Sequence, residues 1–231
     1  MRQFPLMIFA AGFGTRMGAL TRDTPKPLIP VAGKALLDHA LDLTTDAPVA
    51  QKVVNAHYHA DQIARHLLGH NVALSHEETI LETGGGLRAA MPLLGGSPVM
   101  TLNSDTIWTG RNPLQELAAG WDPDRMDALL LLAPIIATRG FAGSGDFLLD
   151  PGSRLIRAQG RTGLAYLGAQ ILRTHDLTDI AQAAFSLNIL WDRMIASGRA
   201  YGLIHDGGWC DVGHPAGIAE AEALLGWHNS G

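Results

Sequence analysis

Leu6-Met7-Ile8-Phe9 runs directly into Ala10-Ala11-Gly12-Phe13-Gly14-Thr15-Arg16-Met17-Gly18, and after Leu20-Thr21 the chain reads Thr24-Pro25-Lys26-Pro27-Leu28-Ile29-Pro30-Val31. A short continuous apolar run that breaks into small residues has the pattern of a buried parallel strand ending in a tight turn. Glycines there let backbone N–H groups approach an anion closely, and Arg16 and Lys26 place two cations in the same segment. The stretch therefore reads as a phosphate loop. It is not a dinucleotide fingerprint, because Gly18 falls one position late for G-x-G-x-x-G and no helix continues through Pro25, Pro27 and Pro30. It is not a Walker A loop either, because no Gly-Lys-Ser/Thr follows the first glycine at the required offset. The plain alternative is a glycine-rich turn stiffened by prolines, and the two embedded cations weigh against it.

Outward from this loop, short apolar runs alternate with helix-period segments. Strands are predicted at Leu6–Phe9, Lys52–Ala56, Val72–Ser75, Val99–Leu102 and Ala128–Ala133, and helices at Ala35–Leu43, Ala60–Leu68, Gly86–Leu94 and Pro113–Ala119. This rhythm predicts an α/β fold of Rossmann-like type, with a mostly parallel central sheet covered by helices on both faces. After Phe141 the strand-like pieces crowd together at Asp146–Leu149, Leu155–Ala158, Ala165–Leu172 and Ala200–Ile204, and are expected to add antiparallel strands to the same sheet. Helices at Leu187–Ala196 and Pro215–Leu225 follow. The expectation is one domain over residues 1–231.

With 231 residues, 47% hydrophobic and 17% charged, the chain can bury a sizeable core. A net charge of -5 offers no general attraction for nucleic acid or anionic lipid, so a phosphate ligand must be held by a few placed cations and backbone donors. Small-molecule partners are expected, with no nucleic acid and no membrane. The single cysteine, Cys210, rules out an internal disulfide and a multi-cysteine zinc site, and Leu6–Ala11 is too short for a secretory or membrane segment. A cytoplasmic protein is the resulting expectation. The ten histidines match no zinc-ligand spacing.

Two aspartates stand out. Asp105 follows the apolar run Val99–Leu102 within Asn103-Ser104-Asp105, at the carboxyl end of a strand where open α/β sheets bind ligands. Asp211 lies in Trp209-Cys210-Asp211-Val212-Gly213, just before the last helix. Two separated carboxylates can share one Mg²⁺, which prefers oxygen ligands and leaves positions for phosphates and water; each alone would read as a turn or cap residue. Leu81-Glu82-Thr83-Gly84-Gly85-Gly86, after Ser75-His76-Glu77, opens a helix with bare backbone suited to the polar edge of a base, or is only a flexible helix entry. Gly168, for its bare backbone, and Asp146, as a hydroxyl acceptor, are the candidates for a sugar side.

The set A-A-G-x-G-x-R-M, L-T and P-K-P-L-x-P-V resembles the signature of the sugar-1-phosphate nucleotidyltransferases. The resemblance implies that Ala11, Gly12, Gly14 and Thr15 wrap a triphosphate, that Arg16 holds the departing pyrophosphate and that Lys26 contacts the α-phosphate. It assigns Mg²⁺ to Asp105 and Asp211 through patterns like N-x-D and W-x-D-V-G, and the nucleotide to Glu77, Gly84, Gly85 and Asn103. Leu81–Gly86, Gly145-Asp146-Phe147 and Tyr166–Gln170 are similar to the branch of uridylyltransferases acting on N-acetylmuramic acid α-1-phosphate, which implies UTP, or another NTP, and a sugar 1-phosphate as substrates. Ala19, Ser104, His214 and Leu167 depart from the family's usual proline, glycine, threonine and threonine or serine. Thymidylyl or guanylyl transfer to a hexose 1-phosphate is the nearest alternative, and a non-catalytic nucleotide sensor is the rival of another class.

Overall fold

The computed structural model describes residues 2–227. In chain order the elements are β1 (Phe4–Phe9), β2 (Pro30–Val31), β3 (Lys34–Ala35), α1 (Leu36–Asp42), β4 (Val49–Ala56), α2 (Ala60–His66), β5 (Ala73–His76), α3 (Glu82–Leu94), β6 (Val99–Asn103) and β7 (Thr106–Gly110). They continue with α4 (Pro113–Gly120), β8 (Ala128–Pro134), β9 (Thr138–Arg139), β10 (Phe147–Leu149), β11 (Leu155–Arg157), β12 (Leu164–Leu172), α5 (Asn188–Ala196), β13 (Ala200–Ile204), β14 (Gly207–Asp211) and α6 (Pro215–Leu224). Among the described residues no helix is long and apolar enough to cross a membrane.

The pleat of the central strands divides the interior in two. Leu6 and Ile8 of β1 enter one core and Met7 the other; Leu129 and Leu131 of β8 part in the same way from Leu130 and Leu132. The first core takes the apolar faces of α1, α2 and α4 through Leu37, Ile63 and Leu117, and the second takes those of α3 and α5 through Leu87 and Leu190. Helices therefore cover both faces of a sheet whose strands read as near-continuous apolar runs, as the sequence predicts.

Nine strands form this sheet. Its order is β11-β10-β12-β6-β1-β4-β5, with β8 on β12 and β13 beyond β8. β6, β1, β4 and β5 are parallel, whereas β12 pairs antiparallel with both β6 and β8. One expectation is corrected here: β13 does not add an antiparallel strand but pairs parallel with β8, from Ala200↔Ala128 to Ile204↔Leu132. The crossover between them, residues 135–199, contains α5, so β13 closes a crossover unit and not a hairpin.

A smaller sheet, β7-β14-β9, sits beside the carboxyl ends of the central strands. Sequence reading did not place β7 or β14. Trp209 pairs with Trp108 and Asp211 with Thr106, a register that joins residues about a hundred positions apart. A third core of Met17, Ile29, Val31, Leu36, Ile107, Cys210, Val212 and Ala221 packs the glycine-loop segment and α6 against this sheet.

Candidate active site

The glycine loop leaves β1 at the carboxyl edge of the parallel strands. Gly14 has φ +64, and a Cβ there would stand 2.9 Å from both Lys26 Cβ and Thr21 Cγ2, so only glycine lets the loop fold back over Lys26. A side chain on Gly12 would meet nothing within 4 Å, leaving its backbone open to a ligand. Thr15 and Arg16 are exposed on the turn Thr15–Thr21, while Lys26 is only 8% exposed. Lys26 Nζ lies 2.5 Å from Asp105 Oδ2, which joins the proline segment to the loop after β6.

The two sequence-predicted carboxylates are brought together by backbone pairing. Val212 N–H donates to the Asp105 carbonyl at 2.9 Å, as an extension of the β7–β14 ladder. Burial, and then the nearby Asp105 carboxylate, push the Asp211 carboxyl up to about 6, against the opposing pull of Lys26, Arg16 and His214. The Arg16 guanidinium lies over Gly213, where a Cβ would sit 3.0 Å from Nη1 and 2.7 Å from Asp211 Oδ2. Gly140, at φ +70, leaves the room on the other side: a Cβ there would lie 2.1 Å from the Asp211 carbonyl oxygen. His214 caps α6, its Nδ1 accepting from Gly217 N–H at 3.2 Å.

A cleft of about 230 Å³ opens from this cluster, lined by Phe9, Ala11, Gly12, Asn55, Glu77, Ile80, Glu82, Thr83, Asn103 and Asp105. Ala11, Gly12, Glu77, Asn103 and Asp105 thus line one cleft. Asn103 stands over Gly168: at φ +82, a Cβ on Gly168 would lie 2.7 Å from the Asn103 amide nitrogen. Gly168 therefore makes room for a protein side chain, that of Asn103. A larger groove of about 670 Å³ around Pro48, Arg111 and Gln115 lies at the amino ends of β1 and β4, away from these charges.

Three predicted residues make contacts of other kinds. Gly84 and Gly85 do not offer free N–H groups to a base; both donate to the Phe185 carbonyl, at 2.8 and 3.1 Å. Their missing side chains admit the passing segment, since a Cβ would meet the Phe185 ring at 2.3 Å and the Ala183 carbonyl at 2.4 Å. Arg88 fastens that segment by donating to the carbonyls of Ile180, Gln182 and Ala183. Asp146 is exposed, is not part of the cleft lining, and accepts Tyr166 N–H at 2.8 Å beside the irregular pairing of β12. From the Leu81–Gly86 turn it is Glu82 and Thr83 that face the cleft, and Glu82 holds φ +58.

Asn55 escaped sequence reading altogether. It is 3% exposed, at the end of β4, and its Oδ1 accepts Ala10 N–H at 2.8 Å. Only its place as a polar residue closing the apolar run Val53-Val54 could have marked it.

Comparison with known proteins bears on the family and the fold. Residues 6–138 match the MobA-like NTP transferase domain. N-acetylmuramate alpha-1-phosphate uridylyltransferase of Caulobacter vibrioides is 42% identical, with 95% of this chain and 96% of that protein covered. The protein of the same name in Neisseria meningitidis serogroup B is 35% identical, over 95% of this chain and 97% of that one. The fold also matches a putative glucose-1-phosphate thymidylyltransferase from Bacillus anthracis, with a TM-score of 0.81 at 15% identity, covering 99% of this chain and 97% of that one. The family match and the full-length likeness lead to one conclusion: the chain belongs to the MobA-like NTP transferase family.

Proposed function

We propose that this protein transfers a uridylyl group from UTP to N-acetylmuramic acid α-1-phosphate, releasing pyrophosphate, in the cytoplasm. The observation that carries the reading is the meeting of Lys26, Asp105, Asp211 and Arg16 at the mouth of the glycine loop. The uridylyl and N-acetylmuramate choices rest on the names of the two relatives aligned over 95% of the chain.

An oxygen of the sugar phosphate attacks the α-phosphorus, a new P–O bond forms, and the bond to the pyrophosphate oxygen breaks with its electrons. Ala11, Gly12, Gly14 and Thr15 offer backbone donors to the triphosphate, and Lys26 steadies the α-phosphate where charge builds up. Arg16, exposed beside Asp211, draws charge onto the leaving group. No covalent intermediate on the protein is required, and Cys210, fully buried with its thiol pushed up to about 12 by burial, is unsuited to form one.

Asp105 and Asp211 suit Mg²⁺: they are oxygen donors from the turn after β6 and the end of β14, pinned together by the Val212–Asp105 backbone bond, and a cation beside them would favour the ionised Asp211 carboxyl that burial and Asp105 oppose. When bound, the ion supplies neutralisation of phosphate charge. Thymidylyl or guanylyl transfer is separated from this reading by crossing UTP, dTTP, CTP and GTP with several sugar 1-phosphates in a pyrophosphate-release assay. The expected best pair is UTP with N-acetylmuramic acid α-1-phosphate; a better rate with another pair replaces the substrate assignment, and binding of UTP without turnover of any pair favours a sensor.

A further inference from the structure

Glu77 and Asn55 are buried polar groups, 2% and 3% exposed, that the transfer chemistry does not itself employ. A buried carboxylate is costly unless its oxygens are satisfied. Here each oxygen is engaged by a donor from a different element. Oε1 accepts Asn55 Nδ2 at 2.7 Å, and Oε2 accepts Leu81 N–H at 3.0 Å, at the turn into α3. Asn55 in turn accepts Ala10 N–H at 2.8 Å, where β1 gives way to the glycine loop. The chain of bonds thus runs from Ala10 through Asn55 and Glu77 to Leu81, across the ends of β1, β4 and β5.

Supporting contacts surround the pair. Glu77 N–H donates to Ala56 C=O at 2.9 Å, and His57 Nδ1 pairs with the Glu77 carbonyl at 2.9 Å. The His57 ring meets Phe13, at the tip of the glycine loop, edge-on at 5.3 Å. Gly86 explains itself here: a Cβ on it would lie 2.6 Å from Glu77 Oε1 and 3.0 Å from Asn55 Nδ2. The third glycine of Gly84-Gly85-Gly86 thus makes room for the pair, as the first two make room for the Phe185 segment.

We propose that Asn55 and Glu77 are positioning residues that fix the triphosphate loop and the base-side turn, residues 80–83, in one register. This rests on reading the cleft as a nucleotide site. Both walls of that cleft are then set by one buried link, so that grip on the phosphates and grip on the base are coupled.

Calorimetric titration of the full chain with UTP and, separately, with inorganic tripolyphosphate tests the coupling without needing turnover. Glu77→Gln keeps an acceptor for Asn55 but turns an amide NH₂ toward Leu81 N–H. It is expected to weaken UTP binding by about tenfold, the size of one orphaned, partly buried donor, and to leave tripolyphosphate binding within about twofold. Asn55→Ala also frees Ala10 N–H and is expected to weaken both ligands by about tenfold. The double variant is expected to bind UTP no more than about threefold worse than Asn55→Ala, because one link is lost once. Gly86→Ala, which crowds the pair without changing its chemistry, is expected to follow Glu77→Gln and serves if that variant does not fold. Multiplying effects in the double variant, or equal loss of both ligands in Glu77→Gln and Gly86→Ala, would overturn the proposal. Absence of pyrophosphate release from the wild type would overturn the functional reading while leaving this binding test intact.

Discussion

Lys26 Nζ and Asp105 Oδ2 stand 2.5 Å apart, although 79 positions separate them in the chain. Lys26 is threaded under Gly14 and is mostly buried, so its ammonium has one place to be. Lys26→Ala is expected to lower turnover by about 10²–10³-fold, the size typical of one lost charge-stabilising contact, with an unchanged circular dichroism spectrum. Pyrophosphate release near the wild-type rate would remove Lys26 from the chemistry.

Asp211 gives a pH prediction. Its folded carboxyl is raised to about 6 by burial and by Asp105, above the ordinary value of 3.8. Between those values the folded state holds the proton more tightly, so this group's contribution to stability is full below about pH 4 and is lost as pH rises through 6. In metal-free protein Asp211→Asn should therefore raise Tm at pH 8, corresponding to about 1–3 kcal/mol, and make little difference at pH 4. Mg²⁺ should raise the wild-type Tm more at pH 8 than at pH 5, because protons compete for the same carboxylate. Thermal melts of both proteins across this range provide the check; an Asp211→Asn variant less stable than wild type at pH 8 contradicts the assigned strain.

Gly140 lies against the backbone of Asp211. Gly140→Ala puts a methyl group where the Asp211 carbonyl oxygen stands, in a positive-φ conformation, and is expected to cost about 1–3 kcal/mol of stability together with a fall in turnover. Denaturant titration and steady-state kinetics on the same preparation measure both. An active variant of unchanged stability would show that this loop does not set Asp211.

The Cys210 thiol is fully buried, and burial followed by the charge of Glu220 raises it to about 12. It should resist thiol reagents at pH 8 in folded protein and react at once in guanidinium. Rapid labelling of the native protein at pH 8 would mean that the core beneath α6 opens readily.

Much of this was legible from local sequence. The apolar run Leu6–Phe9 and the spacing of Gly12, Gly14, Arg16 and Lys26 are local patterns, and they led to the central strand, the loop and its cations. Asp105 and Asp211 were legible as candidates, but the link that joins them was not. Gly207-Gly208-Trp209-Cys210-Asp211 lacks a strand's alternation, and its partner Thr106–Gly110 is fixed only by tertiary pairing. The direction of β13 was hidden for a like reason, since residues 200–204 read the same in either sense and the crossover decides. The glycines at 84 and 85 show the limit most clearly. A bare backbone signals close approach without saying what approaches, and here it is the Phe185 segment, a hundred residues on.

Transfer of the uridylyl group is proposed to depend on the paired carboxylates beside the glycine loop. Pyrophosphate release from UTP, N-acetylmuramic acid α-1-phosphate and Mg²⁺, measured side by side for wild type and Asp105→Ala, tests it most directly. Release is expected to need both substrates, to stop with chelator, and to fall by orders of magnitude in the variant; equal release from wild type and Asp105→Ala, or none from the wild type, would rule out this site.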